Sequence, residues 1–530
     1  MQRAIWFVVM LTFGFLTAGV SAKTLTFCSE GNPETLSPIF NTTSTSFDVT
    51  GQIYDNLVTF RSGTVALEPA LATRWSVSAD GLEYVFSLRQ GVKWQSNAWF
   101  QPTRNFNADD VVFTFERQWK PEHAYYKVTS AHHPYFTDMG MADMLKSVEK
   151  VDDHTVKIRL YQSVTPFVAN LAMRWAGMQS AEYAAVMLQA GTPELVDSAP
   201  LGTGPFQFQS FDKDARVVFK AFNNHWAGRA KVDELIFAIQ PNAAQRWAML
   251  QQGGCQIMAY PRPTDLPQMR EHAQLIVKSQ TGLNISYMAY NMRKKPFDDV
   301  RVRQALNMAI DRRKILREAY QYTAVPATNP FPPIQWSYNR NVMDDTYDPV
   351  VAKRLLTQAG YPNGFTTELW AMSVQRPYIP DAQAVAKLIQ EDLAEIGVKV
   401  VIKSPDWQGY FRGLHAGDHQ MALIGWTGDN GDPDNFLNTL LGCGSLSGNN
   451  VAKFCNPRYD ALVKKAKSST SREERTRLYE QAQVIFKEQA PWFTLAHTVQ
   501  FKIMSREVLG FEVSPVGRHT FSQVDLLPKN

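Results

Sequence analysis

The sequence predicts an α/β protein of several domains, with a β-rich insert before residue 200. Three observations carry that prediction. At 530 residues the chain is too long for a single hydrophobic core, and two to four domains are expected. Apolar residues alternate at period two in some segments and recur at helical spacing in others, and the two kinds of segment succeed one another along the chain. Before residue 200, hairpin-like strand pairs with short turn signals predominate.

The first 22 residues stand apart. Arg3 supplies a positive start, IWFVVMLTFGFLTAGV is apolar but short for a membrane span, and Val20-Ser21-Ala22 offers small residues at a cleavage site. Residues 1–22 are therefore expected to be a secretory signal peptide removed before Lys23, which also rules out the lipoprotein pattern that needs Cys there. No later stretch has about 18 uninterrupted apolar residues. The formal charge of +4, spread over 54 basic and 50 acidic residues with no long Lys/Arg run, argues against nucleic acid as a partner. With 45% hydrophobic and 20% charged residues, the composition is that of a globular protein rather than a disordered, collagenous or coiled-coil one.

After Lys23, TLTFC predicts a strand, followed by an irregular segment with Pro33 and Pro38. In RWSVSADGLEYVFSLRQGVKW, Trp75 and Val77 alternate with serines, Asp80-Gly81 predicts a turn, and Leu82, Tyr84, Phe86 and Leu88 form one face of the returning strand. NADDVVFTFERQ predicts a helix with Asn107 as N-cap. VEKVDDHTVKIRL repeats the hairpin, with Asp152-Asp153 as turn and Val156, Ile158 and Leu160 on one face. GTGPF, Gly202 to Phe206, marks a break. VVFKAF and VDELIFAI predict strands, AAQRWAMLQQGGC a helix closed by glycines, and NISYMAYN a further strand. DDVRVRQALNMAIDRRKILREAY has Val302, Ala305, Leu306, Ala309 and Ile310 at helical spacing. AQAVAKLIQEDLAEIGVKVVI predicts a helix and then a strand, and Ser471 with Glu474 predicts a capping box before RTRLYEQAQVIF.

Four cysteines, Cys28, Cys255, Cys443 and Cys455, suggest disulfides in an exported chain, with three pairings open. CGSLSGNNVAKFC reads as a loop stapled by Cys443–Cys455, which leaves Cys28 with Cys255, two residues over 200 positions apart. No CxxC occurs, so a metal site is disfavoured. Signatures of hydrolases, nucleotide binders and zinc proteases (GxSxG, GxxxxGK[ST], HExxH) are absent. The His132-His133 pair is better read as a solvated loop than as a metal site.

GWTGDNGDPDNF, Gly425 to Phe436, is the most particular stretch. Counted from Asp429, Gly431 and Pro433 occupy positions where a calcium loop needs oxygen ligands. MALIGW reads as a buried strand, which puts Asp429 just past a strand end, where α/β proteins place ligands. A carboxylate partly desolvated beside Trp426 needs a cation, and a ligand ammonium would supply one.

Together with LTFCSEGNPETLSP, ALATRWSVSADGLEYVFSLRQGVKW, FNADDVVFTFER, LGTGPFQ, KKPFDDVRVRQAL and WAMSVQRPYIP, this stretch carries a resemblance over nearly the whole mature chain. The sequence resembles the extracytoplasmic solute-binding proteins of the peptide/nickel ABC-transporter family (family 5), and within it the dipeptide-binding branch. That resemblance implies a two-lobed periplasmic-binding-protein clamshell (type II, large cluster C type) with an extra β-rich domain. Lobe one would comprise 23–50, 196–279 and 501–530, the extra domain 51–195 and lobe two 280–500. It implies no enzymatic activity and no cofactor. The expected protein is a monomer in the periplasm of a Gram-negative bacterium, handing dipeptides or short peptides to an inner-membrane ABC permease. Asp429, in the GWTGD motif with Gly428, would bind the peptide ammonium, and Arg376, in VQRPY, the carboxylate. Tyr378, Trp407 and Trp426 are candidate walls. Ser44 and Thr45 lie in NTTSTSFD, a segment expected to face the ligand, and Ser44 replaces a glycine of the dipeptide branch. Haem, glutathione or an antimicrobial peptide is the alternative ligand implied by related branches.

Overall fold

The structure, a computed structural model, describes residues 22–528 apart from 374 and 375, and leaves out the side chains of Asp138, Trp407 and Gln408. The signal-peptide expectation, up to residue 21, lies outside the described residues. Among those residues, no helix is long and apolar enough to cross a membrane.

Strand Trp492–Ser505 organises the molecule. Its first half pairs with Asn284–Tyr290 and Ala324–Pro326, and its second half with Leu275–Thr281 and Ile257–Ala259. On one side the sheet continues through Thr24–Ser29, Glu234–Ile239, Arg216–Ala221 and Phe206–Asp212. On the other it continues through Met421–Thr427, Thr366–Trp370 and Lys399–Lys403. Met421 to Gly425 are all buried, so this strand has apolar neighbours on both faces, as the unbroken apolar run requires. One apolar core gathers Leu25, Phe27, Phe219, Phe237 and Phe521, and another gathers Tyr287, Leu306, Leu393, Leu423 and Phe436. These are the two lobes of an α/β clamshell. A third core, with Phe86, Phe115, Trp175 and Ile158, underlies a separate antiparallel sheet in the order Ala72–Val77, Glu83–Leu88, Thr155–Leu160, Leu145–Asp152. It is the β-rich addition.

Both disulfides form: Cys28–Cys255 with Cα atoms 5.8 Å apart, and Cys443–Cys455 at 4.8 Å. Cys28 sits in the N-terminal strand, parallel to Ile257–Ala259, so the bond joins two neighbours in space that are distant in sequence. The helix Ala108–Trp119 has the expected Asn107 cap, completed into a capping box by Asp110.

Several local expectations shift. The second hairpin turns at Asp153-His154, because Asp152 pairs with Thr155 and its carboxylate accepts from His154 N at 2.7 Å. Val77 stays exposed at the end of its strand. The helical segment after Asp299 is two helices, Val300–Ala309 and Arg312–Glu318: Ile310 turns extended and Asp311 caps the second, accepting from Lys314 N at 3.1 Å. Only half of the Ser471 capping box exists. Ser471 accepts from Glu474 N, while the Glu474 carboxylate turns to Ser469 and Lys465. His133 is not solvated: its ring is buried against Phe40 at 5.4 Å, and burial pushes its pKa down to about 4. No cluster of three metal-type side chains exists among the described residues.

Candidate functional site

A cavity of about 1740 Å³ lies between the lobes and is lined from all three cores. Its chemistry centres on the loop after Met421–Thr427. Gly428 N donates to Leu283 O at 2.6 Å, and a Cβ at this position would come within 2.7 Å of Phe436 and 2.8 Å of Leu283. Only glycine fits, and the tight exit delivers Asp429 to the cavity wall.

Asn435, one residue into helix Asp434–Leu441, then fixes the loop. Its Oδ1 accepts from Trp426 Nε1 at 2.9 Å and from Asp429 N at 3.1 Å, while its Nδ2 donates to Asp429 Oδ2 at 3.3 Å. Tyr135, from the β-rich part, adds a hydrogen bond to the same carboxylate, and Arg518 donates to Asp429 O at 3.2 Å. No cation among the described residues makes an ion pair with this carboxylate. Burial pushes the Asp429 pKa up to about 6, against the hydrogen bond of Asn435 and the more distant charge of Arg518.

Arg376 lines the same cavity from a short hairpin, its N and O bonded to Ile379 at 3.1 and 3.0 Å. Tyr378 is buried beneath that hairpin, and Arg376 hydrogen-bonds its side chain. Gly425 makes this packing feasible: a Cβ there would lie 2.3 Å from the Tyr378 ring. Trp426 and Gly428 also line the cavity, as expected. The Trp407 backbone begins helix Trp407–Ala416, and its side chain lies outside what is described.

The NTTSTSFD segment leads into helix Ser44–Ile53, which Thr43 caps. Ser44 lines the cavity and hydrogen-bonds Tyr260. Thr45 donates to Glu30 Oε1 at 2.5 Å, and Glu30 itself lines the cavity. Tyr135, Tyr260, Arg174 and Arg518 gave no sequence signal, since each reaches the cavity only through tertiary packing. The one available hint was Asn435, which lies inside the motif that drew attention to Asp429.

Residues 66–448 match the family described as bacterial extracellular solute-binding proteins, family 5 Middle. The dipeptide-binding protein of Escherichia coli (strain K12) is 45% identical over 513 residues, covering 96% of both chains. Heme-binding protein A of Haemophilus influenzae is 44% identical over 507 residues, covering 96% of this chain and 93% of its own. The crystal structure of the dipeptide binding protein from Pseudoalteromonas sp. SM9913 in complex with Met-Leu superposes with a TM-score of 0.81 at 36% identity, over 95% of this chain and 100% of that one. The relatives are named for binding rather than catalysis. The chain belongs to family 5 of the bacterial extracellular solute-binding proteins: it is an extracytoplasmic binder, not an enzyme.

Proposed function

We propose that this protein is the periplasmic binding component of an ABC importer in a Gram-negative bacterium, and that it captures dipeptides or short peptides between its lobes for an inner-membrane permease. The observation that carries this reading is the Asp429 carboxylate. It lines the cavity between the lobes, is positioned by Asn435 and has no ion-pair partner among the described residues. A peptide α-ammonium would supply that charge, and Arg376 on the same cavity would take the α-carboxylate as a planar fork. Both anchors belong to lobe two, so ligand binding would favour the closed arrangement through contacts with the opposite wall, where Ser44 and Tyr260 line the same cavity. Lobe one (23–50, 196–279, 501–530) and lobe two (280–500) are taken as the closing bodies, with 51–195 riding on the first.

The cavity exceeds the ~300–1,000 Å³ of an ordinary small-molecule site, which leaves room for varied side chains and for water. That room, Ser44 at its edge, and a heme-binding relative nearly as similar as the dipeptide-binding one favour haem or glutathione as the second reading. Calorimetric titration of ligand-stripped protein with Ala-Ala, tri-alanine, N-acetyl-Ala-Ala, glutathione and haem separates the two. Tight binding of Ala-Ala with loss on N-acetylation is expected. Binding of haem or glutathione alone would replace the peptide reading.

A further inference from the structure

Two guanidiniums on the cavity wall are given no role by peptide-terminus recognition. Arg174 and Arg518 both line the cavity, and neither has a carboxylate oxygen within 4 Å among the described residues. Each is held in place by neutral groups. Arg174 lies flat on Gly51, where a Cβ would meet its guanidinium at 2.4 Å, and donates to Gly51 O at 2.9 Å. Glycine inside helix Ser44–Ile53 costs about 1 kcal/mol against alanine, and here it provides the seat for a cation. Arg518 stands 4.8 Å over the Phe60 ring and donates to Ala172 O at 3.0 Å and to Asp429 O at 3.2 Å.

The two cations are near enough to oppose each other's charge, and burial together with that repulsion holds Arg518 down to about 9. Two of the carboxylates in the neighbourhood are committed elsewhere, and the third, Asp429, attracts Arg518 without forming an ion pair with it. Asp48 is taken by His519, through both its backbone N and its ring, and Asp55 by Trp226 Nε1 and Thr203. Two desolvated, mutually repelling guanidiniums, each with N–H donors left over, form an anion site that this chain does not fill itself. Arg518 touches the backbone of Asp429, so the anion lies beside the point where the ligand ammonium is held.

We infer that Arg174 and Arg518 form a subsite for a carboxylate on the side chain of the ligand's first residue, so that the protein prefers peptides beginning with Glu or Asp. This rests on the peptide reading above, with the ammonium at Asp429. Titration of ligand-stripped native protein with Ala-Ala, Gln-Ala and Glu-Ala at pH 7.5 tests it, because Gln-Ala is the neutral isostere of Glu-Ala. Glu-Ala should bind about tenfold or more tighter than Gln-Ala, as for a charge-assisted guanidinium–carboxylate contact. The ratio should shrink in Arg174→Gln and in Arg518→Gln, and approach one when both are changed. A ratio leaves out any uniform loss of affinity in the variants, and the native ratio needs no variant to fold. Equal affinity of native protein for Glu-Ala and Gln-Ala, with Ala-Ala bound, overturns the subsite and leaves the peptide reading standing. A full ratio kept in the double variant also overturns it. Failure of all three peptides to bind overturns the peptide reading and the subsite with it.

Discussion

Asp429 and Asp432 sit three residues apart in one loop and have opposite fates. Asp432 is buried and receives two hydrogen bonds from Arg475 Nη2, at 2.7 and 2.9 Å, while Arg475 also donates to Ala466 O and lies 5.2 Å from the Trp336 ring. Its oxygen further accepts from Asp434 N at 3.0 Å and so shapes the start of the next helix. Asp429 has a neutral amide, a phenol and a cavity instead. The first carboxylate is neutralised within the fold and holds the loop. The second is held by the loop and left for something else. The difference teaches that partner chemistry, more than burial, separates a structural acid from a binding one.

Breaking the structural acid should have the largest effect. Asp432→Ala leaves Arg475 buried without its counter-ion, and is expected to cost roughly 3–5 kcal/mol of stability. Denaturant unfolding measures this, and a loss below about 1 kcal/mol would erase the contrast with Asp429. Asp429→Asn should invert the pattern. Ala-Ala affinity falls by on the order of 3 kcal/mol, over a hundredfold. The ligand-free variant should be no less stable at pH 7 than the native protein, since it loses a desolvated charge. Affinity equal to native would remove Asp429 from the binding role.

Asn435 comes next in magnitude. Its amide joins Trp426, the Asp429 backbone and the Asp429 carboxylate, so Asn435→Ala should weaken Ala-Ala binding about tenfold through lost positioning, with stability changed by less than for Asp432→Ala. If binding and stability fall together by the Asp432 amount, Asn435 belongs to the structural half of the loop.

That contrast marks what could be read from the chain alone. Asp429, Arg376, Trp426 and Gly428 were legible because they sit in compact motifs, and the strand before Asp429 was legible because Met421 to Gly425 are uniformly suited to burial. The neutralisation of Asp432 inside the fold could not be read, since its partner, Arg475, is 43 residues away. Arg174 and Arg518 were invisible for the same reason: 344 positions separate them, and their proximity comes from residue 518 bonding Ala172. Local errors have local causes. Helical spacing runs through Ile310 although Asp311 caps a new helix.

The smallest effect is also the most diagnostic, because it titrates the comparison directly. Burial raises the Asp429 pKa to about 6, and an ammonium binds only the ionised form. Affinity for Ala-Ala should therefore bend near pH 6, fall about tenfold between pH 7 and pH 5, and decline again above about pH 8 as the ligand's own α-amino group loses its proton. Binding should release protons within that range, since the ammonium draws the carboxyl pKa down. The sign of the stability effect follows from the same shift. The ligand-free folded protein holds a proton on Asp429 that the unfolded chain releases near its ordinary pKa of 3.8, so this residue's contribution to stability declines as pH rises from about 4 to 6. Asp434 lines the same cavity, and burial raises its pKa to about 6 as well, so the bend needs assignment. Calorimetry across pH on Asp429→Asn and Asp434→Asn supplies it. The bend should vanish in the first and persist in the second; the reverse would move the ammonium site five residues along the loop.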